Sequence, residues 1–154
     1  SHVGIGLNTF FTPKFENNQD LRLQDSFYKN KVSISSLIGN EFKFQMKNDV
    51  IFKDKFVNFA SDYTIYLYVS KYTLETATFS SKAQLKINID MKVLDNNNKI
   101  IYENSKDNIL FSHNYIYDKD EIFYSKDALV QTTNLAIKQV VARLILEMKK
   151  DSKI

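Results

Sequence analysis

Few side chains in this sequence can do chemistry, and their types exclude most of it. There is no cysteine among the 154 residues, which removes disulfide frameworks, thiol nucleophiles and thiolate-held zinc or iron–sulfur sites. Two histidines, His2 and His113, cannot assemble a histidine-based metal cluster. One proline and three glycines leave little scope for a phosphate-cradling loop. His113 stands in Phe111-Ser112-His113-Asn114-Tyr115, ahead of Asp118, Asp120 and Glu121. A hydrolase would use His113 as a base, oriented by an acid, with Ser112 or another serine as nucleophile. The segment has neither a glycine-rich nucleophile elbow nor an oxyanion element, so it reads as a strand-end histidine beside a solvated acidic loop. A calcium loop needs a glycine at its sixth position and a bidentate glutamate at its twelfth. The acidic residues 118–121 offer neither and read as plain surface.

The constellation with most promise is a row of rings beside ammonium groups. Tyr66, Tyr68 and Tyr72 alternate on one strand, and Lys82, Lys86 and Lys92 on the next. If these strands pair, one sheet face presents tyrosines interleaved with lysines. Such a face suits an anionic amphiphile, with ammonium groups on phosphate and rings on sugar or acyl chain. It suits a partner protein equally, since tyrosine is enriched at interfaces. The bland alternative is an ordinary solvated sheet face. Stacked single-stranded nucleic acid is not expected, because Arg22 and Arg143 are the only arginines and no RNA-binding motif occurs. The net charge of +3, from 21 basic and 18 acidic residues, is interspersed and gives no basic stripe. No run approaches the ~18 apolar residues of a membrane span, and no signal-peptide pattern opens the chain.

Several elements must position these groups. The apolar segment from Val3 to Phe15, with Pro13 near its end, suits an edge strand, and Glu16 to Asp25 is polar enough for a loop. Val32, Ile34, Ser36 and Ile38 alternate, as do Phe42, Phe44 and Met46, and Gly39-Asn40 lies between them. That pattern predicts a hairpin over 32–46; a competing helix over Ser36 to Asn48 is disfavoured by Gly39 and by the spacing of the phenylalanines. Asn48 to Asn58 suits a short helix or a packed loop. Asp62 to Leu74 is the strongest strand: Tyr63, Ile65, Leu67 and Val69 face one way, and Thr64, Tyr66, Tyr68 and Tyr72 the other. In Ala83 to Asp95 the residues Leu85, Ile87, Ile89, Met91 and Val93 share one face, opposite Lys82, Gln84, Lys86, Asn88, Asp90 and Lys92. Asp95 to Lys99 is an asparagine-rich turn, and Ile100 to Phe111 returns. The result is a three-stranded antiparallel meander with one buried face. A helix follows from about Ser125 to Lys150, with apolar residues at spacings of three and four. Its polar face carries Asp127, Gln131, Asn134, Lys138 and Glu147, a mixture that suits packing on the sheet rather than lying on a membrane. The expected fold is therefore α+β: an antiparallel meander with a long C-terminal helix on one face and an N-terminal hairpin. It forms one domain over residues 1–154, in which 1–30 are partly irregular.

From Ala60 onward the chain resembles the LPS-assembly lipoproteins of the LptE type. The features that carry this are the entering strand Ala60 to Val69, the strand Leu85 to Leu94 before a polar turn, the returning strand with its loop Tyr115 to Ile122, and the final helix with Ala136, Val140, Leu144 and Ile145. The resemblance implies a small periplasmic α+β domain without enzymatic activity or cofactor. It implies an N-terminal lipid anchor on a cysteine ahead of Ser1, and a place on the periplasmic side of the Gram-negative outer membrane. The implied partners are an outer-membrane β-barrel and an anionic glycolipid, lipopolysaccharide. The hairpin over 32–46 departs from that family, which places a helix before the entering strand. The chain is also similar to auxiliary lipoproteins of ABC-type lipid transporters, the PqiC kind, without their usual tryptophan segment. That likeness implies an envelope transport complex as partner. An unrelated surface or secretion-accessory lipoprotein is the third reading.

Overall fold

The tyrosine-rich strand is the centre of the molecule. The computed structural model describes residues 4–11, 17–57, 61–152 and 154; Ser1, His2, Val3, Pro13, Phe15, Glu16, Asn58 and Ala60, named above, lie outside them. Strand β2 (Tyr63–Thr76) pairs antiparallel with β3 (Lys82–Asp95), which pairs antiparallel with β4 (Ile100–Asp107). This is the predicted meander. β1 (Ile5–Phe11) adds to the far side of β2 in parallel, and the short β5 (Tyr117–Asp118) pairs with the start of β3, completing a five-stranded sheet. Asn98 takes a positive φ of 61° in the β3–β4 turn, where the Asp95 carboxylate accepts from the N–H groups of Asn97 and Lys99. An asparagine tolerates that left-handed geometry better than most residues.

Helices cover one face of this sheet. The last, α4 (Lys126–Asp151), starts where Ser125 accepts from the N–H of Ala128 and ends on Lys149 and Lys150, cations suited to the negative helix end. Its buried Leu129, Ile137, Val140, Val141, Leu144 and Met148 meet Leu85, Ile87, Ile89, Met91 and Val93 of β3 in one core. Each such side chain contributes roughly 1.5–3 kcal/mol on burial. The acidic segment 118–121 is not a plain loop. Asp118 and Glu121 form a capping box that starts α3 (Lys119–Tyr124), in which Glu121 accepts from the Asp118 N–H at 3.2 Å.

The N-terminal third differs from expectation. In place of a hairpin, residues 34–47 form α2 (Ile34–Lys47), capped by Ser33, which accepts from the N–H of Ser36 at 3.2 Å. The even-numbered apolar residues satisfy two periods at once. Ile34, Ile38, Phe42 and Met46, four apart, are buried, whereas Phe44, which belongs to the strand alternation, is 62% exposed. Gly39 makes no turn; it lies within α2 beside β1, where a Cβ would sit 3.4 Å from Thr9 Cγ2. The supposed loop around Asp20 is also helical. Asn17 accepts from the Asp20 N–H at 2.9 Å and opens α1 (Asn18–Lys29), which buries Leu23 and Phe27. Residues 49–57 are a packed loop pinned by the fully buried Phe52. Asp49 bonds the N–H groups of Ile51 and Phe52, and Lys149 donates to it at 2.6 Å.

Two local devices shape the sheet. The β2–β3 register shifts between Val69 and Lys71, a bulge at Ser70, after which the even-numbered side chains of β2 turn inward. β4 ends at Asp107 and does not continue to Phe111. Beyond it, Asn108 takes over the edge of β3 with its side chain, accepting from Ile87 N–H at 2.8 Å and donating to Leu85 O at 2.7 Å. Gln139 holds Ile109 by both N–H and C=O, and Gln84 donates to Phe111 O.

Candidate functional site

The helices leave the other sheet face open, and three of the six predicted residues meet there. Pairing aligns Asn8, Tyr66, Lys92 and Glu103 in one row across the strands, and Phe10, Tyr68, Asp90 and Ser105 in the next. Phe10 stacks on Tyr68 with ring centroids 5.1 Å apart and on Tyr66 at 6.1 Å. Lys92 Nζ sits 5.9 Å from the Tyr68 ring centroid, within cation–π range. The rings hold one another in an offset stack worth about 0.5–1.5 kcal/mol per pair. Phe10 remains 41% exposed, so the stack is a rigid, partly apolar surface rather than a closed core.

The other predicted residues stand elsewhere. The Ser70 bulge turns Tyr72 into the core, where it is 1% exposed and packs on Phe11 and Phe27 at 5.2 and 5.8 Å. Simple alternation from Tyr66 and Tyr68 placed it on the outer face; the extra residue reverses it. Burial, with Asp20 nearby, pushes its phenol well above the usual range. Lys86 is on the open face but pairs with Glu75 at 3.8 Å. Lys82 lies at the far end of β3 beside β5, roughly 33 Å of strand from Lys92 at about 3.3 Å per residue.

Sequence reasoning missed Phe10 and the β4 acids Glu103 and Asp107, though alternation along β3 already put Asp90 on the face of Lys92. Phe10 joins the site only through parallel pairing across a long connection, which no local pattern announces. On the β3–β4 side, Ser105 donates to Asp90 at 2.6 Å, and Asn88 donates to Asp107 at 2.8 Å while accepting from Ser70. With Glu103 opposite Lys92, this half of the face is acidic and hydrogen-bonded. The open face thus carries an aromatic patch with Lys92, and beyond the bulge the exposed Lys71; neither lysine forms an ion pair among the described residues, and carboxylates border both.

Little supports covalent chemistry. His113 lies exposed in a short 3₁₀ turn (Ser112–Asn114), its ring stacked on Phe111 at 5.4 Å. Among the described residues it bonds neither Ser112 nor any acid. No group of three or more Asp, Glu or His side chains converges to hold a metal ion among the described residues. Nor is any described helix long and apolar enough to cross a membrane.

No family model matches the sequence, and no curated protein matches it. Among solved structures, CT253 of Chlamydia trachomatis superposes with a TM-score of 0.61 at 8% identity, the alignment covering 96% of each chain. The chain shares the fold of CT253. The PelC dodecamer subunit of Paraburkholderia phytofirmans aligns at a TM-score of 0.45 and 12% identity, over 92% of this chain and 86% of the other. Lipoprotein GNA1162 of Neisseria meningitidis aligns at 0.40 and 11%, over 97% and 99%. At these identities the likeness to CT253 concerns architecture alone.

Proposed function

We propose that this chain is a non-enzymatic binding domain of the bacterial cell envelope, an accessory of outer-membrane assembly that docks a partner protein through its open sheet face. One observation carries the reading: Phe10, Tyr66 and Tyr68 are stacked into a rigid patch, with Lys92 over Tyr68, on the face that no helix covers. Preassembled rings lose little conformational entropy on docking, which is what interface anchors need. A protein partner suits this face better than an anionic glycolipid. Glu103 lies opposite Lys92 and Asp90 two residues from it, while Asp107 shares a row with Lys71; these carboxylates repel a phosphate that the lysines would attract. The envelope setting, and an outer-membrane β-barrel as the partner, rest on the resemblance of the chain from Ala60 onward to the LptE-type lipoproteins.

The test is capture of partners from detergent-solubilised envelope by the affinity-tagged protein, with mass spectrometry of what co-purifies. The expected result is a stoichiometric outer-membrane β-barrel, lost when Phe10→Ala, Tyr68→Ala and Lys92→Ala are combined in a variant that keeps the native circular dichroism. An ABC transporter captured instead moves the domain to lipid-transport complexes. Capture that the triple variant leaves unchanged refutes the assignment of this face. Binding of lipopolysaccharide vesicles with no protein partner refutes the charge argument.

A further inference from the structure

The two edges of the sheet are treated differently by the sequence. β4 carries Glu103, Lys106 and Asp107; Lys106 pairs with Glu147 at 2.9 Å, Arg143 donates to Asp107 O, and the register shifts at Val93/Leu94. Charges and irregular register of this kind discourage a further strand. β1, with sequence IGLNTFF, has no charge, no proline and no bulge. Ile5 shows which way its edge points: its N–H donates to Lys55 O at 2.7 Å, and its C=O accepts from Val57 N–H at 3.0 Å. Residues 55–57 thus begin a parallel neighbour, bridged at Phe56, on the side away from β2. By the alternation of a strand, Leu7 and Thr9 turn their N–H and C=O groups the same way. Among the described residues these groups have no backbone partner.

A cleft follows this edge. One part, of about 460 Å³, lies between Leu7, Asn8, Phe56 and the α2 residues Lys43 and Lys47. A second part, of about 280 Å³, continues from Leu7 and Lys43 past Thr9 and Gly39. Both lysines are exposed, and neither forms an ion pair among the described residues.

We infer that the outer edge of β1 accepts an extended acidic segment of a partner protein as an added strand. Backbone groups of Leu7 and Thr9 supply the ladder, continuing the pairing that residues 55–57 begin at Ile5. Alternate side chains of the added strand fall on the two sheet faces. Those toward α2 meet Lys43 and Lys47 and are carboxylates; those on the open face meet Phe10 and are apolar. A second copy of this chain fits worse, because edge-to-edge pairing brings both copies' Lys43–Lys47 pairs to one seam with no carboxylate between them. The added strand shares only Phe10 with the open-face site, and the edge pairing and the lysine contacts stand without that assignment.

The test uses a fluorescein-labelled peptide alternating valine and glutamate, read by fluorescence anisotropy. Its controls are the valine–lysine analogue and the same peptide with alternate amides N-methylated. The expected result is binding of the first peptide alone, weakened at least tenfold by Lys43→Glu with Lys47→Glu, and at least tenfold by Thr9→Pro. Thr9→Pro removes an outward N–H and leaves the β1–β2 ladder donors in place; its urea midpoint checks the fold. The lysine variant lies on an exposed helix face, so its result holds if the proline variant is unstable. No binding, equal binding of the N-methylated peptide, or binding unchanged in the lysine variant overturns the inference. Self-association of the chain that Thr9→Pro abolishes overturns it too, by making a second copy the occupant.

Discussion

Replacing Asn108 tests how the sheet ends. The residue is 6% exposed, and its amide accepts from Ile87 N–H at 2.8 Å and donates to Leu85 O at 2.7 Å. Asn108→Ala leaves one buried N–H and one buried C=O without partners. Each unmet group costs about 1–3 kcal/mol, and some water access at the sheet edge brings the sum to about 2–4 kcal/mol. With a urea m-value of about 2 kcal/mol/M, the unfolding midpoint falls by about 1–2 M. Asn108→Asp sharpens the test. A carboxylate accepts from Ile87 N–H but repels Leu85 O, whereas the protonated acid donates to it, so folding raises the pKa of the new group. A raised folded pKa gives stability that is present below the ordinary carboxylate value, about 3.9, and lost as pH rises through the folded value. The aspartate variant should therefore lie close to the parent protein near pH ~3.5 and lose about as much as the alanine variant at pH ~7. Urea titrations followed by circular dichroism at both pH values measure this. An alanine midpoint within about 0.3 M of the parent, or an aspartate deficit that does not change with pH, refutes the amide's role.

Other outcomes follow from the same structure. Tyr72→Ala should cost about 3–5 kcal/mol in urea unfolding, and Tyr68→Ala less than about 1 kcal/mol; equal losses would show that the bulge at Ser70 does not turn Tyr72 inward. Burial raises the Asp49 carboxyl, but donation and charge from Lys149 and the N–H groups of Ile51 and Phe52 outweigh it and hold the net value below the ordinary 3.8. A lowered folded pKa stabilises above the ordinary value and is lost as pH falls through the folded one. Asp49→Asn should cost about 1 kcal/mol at pH ~7, a deficit that shrinks in parallel urea titrations as pH falls below the ordinary carboxylate range and through the lowered folded value.

Much of the C-terminal part was legible because its patterns admit one reading. β3 alternates over its whole length, and α4 shows a helical stripe preceded by Ser125, a good N-cap. The N-terminal third was not legible, for two physical reasons. Even-numbered apolar residues in 34–46 fit a strand and a helix face alike, and the burial that decides between them comes from β1 and α4, distant in sequence. α1 hides because its buried stripe is short, Leu23 and Phe27 amid polar residues. Alternation brought Tyr66, Tyr68 and Lys92 together correctly. It failed for Tyr72, since one unpaired residue reverses every side chain after it, and no residue type in Val69-Ser70-Lys71 announces that. Phe10 entered the site through long-range pairing, and Glu103 and Asp107 reached the open face only through the β3–β4 register.

The parallel pairing of β1 with β2 has a consequence in time. Gly4 donates to the Asp62 carboxylate 58 residues further along the chain, and every β1–β2 contact spans a similar length. At about 5–20 residues per second of synthesis, roughly 3–12 s pass between the emergence of β1 and that of its partner. β4 and α4, which hold the rest of the sheet together, emerge later still. For that interval an uncharged strand waits without a neighbour. β1 gains its neighbour only once β2 has been made, so a holding chaperone has most to protect around residues 5–11 of the nascent chain.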